Sequence, residues 1–198
     1  MRCIPAVHAA HRSCRDGGKR NGQLVGVDMN RIAKLGREAQ ARAYKAAGIP
    51  DKRVLKEGEI ISLDVGAFYK GFHGDSAMTV PVGTVDAKVM ALLDACKAGL
   101  AAAIAAARAG SRLGDISNAG QTTVEPRGFS VVREYTGHGV GRDLHEDPLV
   151  PNLGEPHTGV VLRKGMTLAL EPMINMGGWA VKVKPNGWTV VTRDGNWS

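Results

Sequence analysis

The sequence predicts an α/β (α+β) domain, and three observations carry that expectation. Short apolar runs rich in β-branched residues recur between turn residues, the pattern of strands. The stretch from Asp86 to about Ala109 sets Val89, Leu92, Leu93, Cys96, Leu100, Ile104 and Ala107 on one helical face. A chain of 198 residues, 43% hydrophobic, is long enough to bury one sizeable core.

The elements follow in chain order. Residues 1–25 are rich in Gly, Arg and His without periodicity and read as disordered. Asp28 caps a helix expected from about Met29 to Ala47, with Ile32, Leu35 and Ala39 at helical spacing. Gly48 and Pro50 stop it. A strand ending at Asp64 then turns at Tyr69-Lys70-Gly71 and returns to about Val82 as a β-hairpin. The Asp86 helix ends at Gly110, and a second helix runs from Leu113 to about Glu125 until Pro126 and Gly128 break it. Strands are expected near 129–135, 166–171, 179–183 and 188–192. Residues 142–165 hold Pro148, Pro151, Gly154, Pro156 and Gly165 and read as one long functional loop. No internal repeat is visible.

Composition narrows the function classes. No apolar run approaches the roughly 20 residues of a membrane span, and Met-Arg-Cys-Ile-Pro lacks the apolar core of a secretory signal. Cys3, Cys14 and Cys96 are too few for a disulfide framework. The run Cys3, His8, His11, Cys14 lacks a usual zinc spacing and reads as free thiols in a loose tail. The cytoplasm is the expected compartment. The net charge of +7 lies wholly in residues 1–50, where ten Lys or Arg face Asp16, Asp28 and Glu38. That excess reads either as a basic arm that contacts RNA, for instance on the ribosome, or as a segment without a selected role. No aromatic precedes Tyr44, so base stacking is not supported.

Four residues suit a metal: Asp64, Asp75, His138 and Glu171. With the hairpin turn centred near Tyr69 and Lys70, Asp64 faces Asp75 directly, with Cβ atoms about 5 Å apart. Two carboxylates that close repel, and a cation, or a pair of cations about 3.5–4 Å apart, relieves the conflict. His138 lies among Gly137, Gly139 and Gly141, which permit tight turns and close backbone approach and so expose its imidazole to a ligand. Glu171 ends an apolar strand, where an unpaired carboxylate is costly. Oxygen and nitrogen donors without sulfur favour Mn, Fe(II), Co or Zn. His73 is expected to point away from Asp75's neighbours, and His157 to lie in a polar loop without a role.

The motifs Gly-Ile-Pro-Asp at 48–51, Leu-Asp64-Val-Gly, and Gly-Phe-His-Gly-Asp75-Ser follow one another in the chain. Gly-His138-Gly-Val-Gly-Arg-Asp-Leu-His145-Glu-Asp-Pro, Leu-Ala-Leu-Glu171-Pro-Met and Asn-Gly-Trp188-Thr-Val continue the series. Through them residues 48–198 resemble the type I methionine aminopeptidase family, while residues 1–47 form a basic segment without a motif match. The resemblance implies a pita-bread fold, a curved antiparallel sheet backed by helices. It implies two divalent ions (Mn, Fe, Co or Zn) on Asp64, Asp75, His138 and Glu171. It makes Glu171 a ligand and proton shuttle, His145 a catalytic and substrate-contacting residue, and Trp188 part of a methionine pocket. The implied partner is a peptide or nascent-chain N-terminus. Two departures stand out. A further Glu ligand of the family is expected beyond Ser198, which implies an incomplete sheet edge, a weakened second metal site and impaired activity. Ala47 stands where the family has a substrate-contacting His. Two rival readings remain open: a non-catalytic pita-bread scaffold for RNA or protein, and an Xaa-Pro peptidase of the same fold.

Overall fold

Residues Lys70 and Gly71 both have positive φ, 50° and 83°, the signature of a two-residue type I′ hairpin turn. That turn joins β2 (Ile60–Tyr69) to β3 (Phe72–Pro81) with Tyr69 opposite Phe72. The computed structural model describes residues Ala9–Ala10, 54–187 and 189–198. The helix expected near 29–47, Ala47 and Trp188 lie outside the described residues.

Downstream of the hairpin, Asp86 accepts the Lys88 N–H at 2.7 Å and caps α1 (Ala87–Ala106). Next come α2 (Leu113–Val124) and a 3-10 turn at Glu125–Arg127, closed by Gly128 at φ 83°. The remaining strands are β4 (Ser130–Val131), β5 (Thr136–Gly139), β6 (Glu146–Pro151), β7 (Leu168–Leu170), β8 (Ile174–Asn175), β9 (Val181–Val183) and β10 (Val190–Thr192). One further strand, β1 (Ala9–Ala10), enters the main sheet. That sheet is antiparallel throughout and ordered β2-β3-β1-β7-β5-β6. Two small pairs, β9 with β10 and β4 with β8, stand beside it.

Four expectations change. Disorder over residues 1–25 does not hold at Ala9–Ala10, which pair with β3 and β7; two residues are too short to leave a periodic signal. The long loop at 142–165 contains β6, whose Pro148 and Pro151 are tolerated because β6 is an edge strand among the described residues. The run at 129–135 forms a strand only at Ser130–Val131, since the chain bends at Arg133 and Glu134. Finally, α1 is long and apolar enough, by length and composition, to cross a membrane. Its Val89, Leu92, Leu93, Ala95, Cys96 and Ala103 are buried inside the protein, which is the behaviour of a core helix.

Among the described residues three clusters make up the core, and the two that involve the helices locate it; the third joins Val132, Met173 and Val181. Ala103, Leu113, Ile116, Val150, Leu162, Leu168 and Leu170 join α1 and α2 to β6 and β7. Leu92, Ala95, Cys96, Val124, Val131 and Ile174 join the same helices to β4 and β8. The fully buried Leu92 anchors the second, and its truncation to Ala would cost about 2–5 kcal/mol. Leu168 and Leu170 therefore face the helices. By strand alternation Ala169 and then Glu171 face the other way, so the helices back one side of the sheet and leave the opposite side for chemistry.

Candidate metal centre

The residue opposite Ala169 on β5 is His138, so its side chain shares the helix-free side of the sheet. The chain comes unusually close to its neighbours on both flanks of His138. A Cβ added at Gly137 would stand 2.3 Å from the Ala169 carbonyl oxygen, and one at Gly139 would stand 2.3 Å from that of Asp147. Only glycine permits this approach. Of the two roles these glycines suit, tight turns and close backbone approach, Gly137 and Gly139 serve the second, threading a strand between β6 and β7.

Asp75, His138 and Glu171 converge, with one donor atom from each lying within 4.8 Å of the others. All three are buried. His138 Nε2 is 2.8 Å from Glu171 Oε1 and 3.4 Å from Asp75 Oδ2. Its Nδ1 lies 2.7 Å from the Gly139 carbonyl oxygen. A carbonyl only accepts, so Nδ1 carries the proton and a neutral ring turns its Nε2 lone pair toward two carboxylates. That arrangement calls for a positive charge at Nε2, either a second proton or a cation. An imidazole fixed by a backbone carbonyl, with two carboxylate oxygens beside its free nitrogen, is a donor set that fits a divalent ion.

Asp64 stands apart from this trio. The turn is centred on Lys70 and Gly71, one residue later than expected, so Asp64 pairs with Ala77 and Asp75 with Gly66. A one-residue move of the centre slides the pairing by two. Parity is kept, and Asp64 stays on the same side as Asp75 as a diagonal neighbour, with an exposed side chain. His73 shares Asp75's side and points away from Asp75's neighbours Gly74 and Ser76, because residues two apart on a strand project together. Its ring packs 4.7 Å from that of Phe68, and its backbone N–H donates to the Gly141 carbonyl oxygen at 2.7 Å. That bond ties the hairpin to the segment carrying His145. The His145 ring lies 4.3 Å from the His138 ring, at the margin of the trio. His157 sits on the surface beside Asp115, away from the trio.

Sequence reasoning missed the support behind Glu171. The Cys96 thiol, buried in α1, donates to the Pro172 carbonyl oxygen at 3.2 Å, and the Val132 N–H donates to the Met173 carbonyl oxygen at 2.8 Å. Backbone carbonyls leave no trace in residue types, so no signal in the sequence announces these bonds.

Comparison with known proteins agrees with this geometry. Residues 6–193 match the model of metallopeptidase family M24, beginning well upstream of the motifs at 48 and covering β1. The chain is similar to methionine aminopeptidase 1 of Bacillus subtilis, 53% identical over 148 residues, which are 75% of this chain and 60% of that protein. The crystal structure of methionine aminopeptidase from Thermotoga maritima superposes with a TM-score of 0.73 at 55% identity, over 75% of this chain and 60% of that one. The Rickettsia prowazekii enzyme gives the same TM-score at 41% identity and the same coverage of both chains. This chain thus spans about three-fifths of the length of the relatives it matches. The sheet backed on one side by two helices is the pita-bread α/β fold of those structures. By its matched residues, its fold and its clustered donors, the chain belongs to metallopeptidase family M24.

Proposed function

We propose that this domain is a metal-dependent aminopeptidase that releases methionine from the N-terminus of peptides and nascent proteins. The observation that carries the reading is the trio of Asp75, His138 and Glu171, with the histidine locked in the tautomer a metal requires. The relatives at 53% and 55% identity, both named methionine aminopeptidase, support it further and favour it over an Xaa-Pro peptidase.

In this reading Asp75, His138 and Glu171 hold a divalent ion (Mn, Fe, Co or Zn), and Asp64, on the same side of the hairpin, assists a second one. Such ions lower the pKa of bound water toward neutrality and polarise the scissile carbonyl. The protein's own groups do the rest. Gly139 holds His138 Nδ1–H and so keeps Nε2 turned inward. The Glu171 carboxylate, buried at the end of β7, takes a proton from water and returns it to the leaving amine. His145, beside His138, offers an N–H to the substrate carbonyl oxygen. Trp188, outside the described residues, is assigned to the methionine pocket by the sequence motif alone.

The test is methionine release from a Met-Ala-Ser peptide with Mn(II) or Co(II) in excess. Release that falls by about 10²-fold or more in Glu171→Gln is expected; an unaffected rate would sink the assignment. The cytoplasm, where nascent chains are made, is the proposed setting. The charge of residues 1–50 supports contact with RNA, and binding that weakens steeply with added salt is the expected signature; salt-independent binding would remove that partner.

A further inference from the structure

Glu171 leaves the sheet at the end of β7, and the next three residues, Pro172, Met173 and Ile174, are buried. A segment leaving a ladder inside a protein must find new partners for its carbonyls. Here the Met173 carbonyl oxygen takes the Val132 N–H, and the Pro172 carbonyl oxygen takes the Cys96 thiol. Cys96 is 3% exposed, and burial pushes its thiol up to about 12, so it stays a protonated donor at any physiological pH.

We propose that Cys96 is a positioning residue: from the middle of α1 its thiol fixes the Pro172 carbonyl and thereby the neighbouring Glu171 carboxylate against His138. This rests on the reading of the trio as a metal site. The route is short, because Pro172 follows Glu171 directly in the chain. The Pro172 ring fixes φ, so ψ is the one torsion of Pro172 left to absorb a shift of its carbonyl before it reaches the Glu171 backbone. A thiol suits the place chemically. It is small and apolar enough for a cluster of Leu92, Ala95, Val124, Val131 and Ile174, yet supplies one weak donor.

The test uses the intact chain and Mn(II) affinity by calorimetry, with thermal melting alongside. Cys96→Ala and Cys96→Val remove the donor, and Cys96→Ser keeps one. Groups that orient metal ligands usually matter by about 10–100-fold in affinity. The expected result is a loss near the lower end of that range in the Ala and Val variants. The Ser variant should recover most of it while melting lower than wild type, because a hydroxyl sits poorly among aliphatic side chains. Affinity that tracks melting temperature through all three variants, with Ser no better than Ala, would overturn the proposal. Wild type that fails to bind Mn(II) would instead sink the metal reading itself. Should the Ala and Val variants not fold, the infrared S–H stretch of Cys96, with Cys3 and Cys14 replaced by Ala, decides. A shift on adding Mn(II) supports the coupling, and an unchanged band overturns it.

Discussion

The two arms that meet at the trio are built differently. Asp75 arrives on a hairpin of two ten-residue strands at one end of the sheet, with Asp64, Phe68 and Tyr69 exposed along it. His138 and Glu171 arrive on β5 and β7, inner strands whose contacts leave no room for a single Cβ at Gly137. The first arm is held by ladder bonds and a tight turn; the second by close backbone approach between neighbouring strands, with Leu168 and Leu170 of β7 also packed toward the helices. The contrast teaches that tolerance to change should depend on which arm is touched, even where the substituted residue is the same.

Glycine substitution separates the arms most sharply. Gly137→Ala forces a methyl within 2.3 Å of the Ala169 carbonyl oxygen and should cost about 3 kcal/mol or more in chemical denaturation. Gly74→Ala meets nothing nearer than 3.9 Å and should stay within about 0.5 kcal/mol of wild type. Equal losses would mean that the arms are equally rigid.

Metal affinity gives the next contrast. His138→Ala should weaken Mn(II) binding by at least about 100-fold, whereas Asp64→Ala, outside the close trio, should weaken it by only about tenfold. Calorimetric titrations that fall alike in the two variants would promote Asp64 to equal rank.

The arms are joined by β1, where Ala9 pairs with Ser76 on one side and Leu170 on the other. Deleting residues 1–10 should speed amide exchange at Ser76 and Leu170 while leaving the α1 core protected. Unchanged exchange at both positions would show that the arms meet without this strand.

The smallest effect lies at the first turn of α2 and in the turn after β10. Asp115 accepts the N–H groups of Arg112 and His157, and these bonds hold its carboxyl below the usual range. Asp194 is held low by the N–H groups of Asn196 and Gly178. Both are depressed acids. Their contribution is complete above the ordinary carboxylate pKa, near about 4, and is lost as pH falls through the lower folded value. Melting temperature should therefore decline on acidification below about pH 4, and less steeply in Asp115→Asn. A decline of the same slope in that variant would place the sensitive group elsewhere.

Much of this site was legible in residue types. Asp75, His138 and Glu171 stood out because carboxylate and imidazole fell where strands were expected to end or turn. The helices were legible for a plainer reason: the apolar face of α1 and the Asp86 cap leave strong local patterns. What failed was register and partner. Tyr69, Lys70 and Gly71 all suit a turn, so the sequence could not say which two residues close it, and Asp64 was set opposite the wrong residue. Glycines around His138 left their role open, because close strand approach and tight turns call for the same residue. Strand β6 hid behind its prolines, and β1 and β8 are too short to show a period.

The hairpin carries one more consequence, in how the protein behaves in concentrated solution. On the face away from the carboxylates, Leu63 and Tyr69 of β2, an edge strand among the described residues, oppose Met78 and Phe72 of β3, and all four are substantially exposed. A long terminal strand bearing apolar pairs is a template onto which another chain can add. Lys70 at the tip, with its Nζ 5.3 Å above the Tyr69 ring, is a charge placed to discourage such stacking there. Removing it should lower colloidal stability: light scattering ought to rise with protein concentration sooner in Lys70→Ala than in the parent chain.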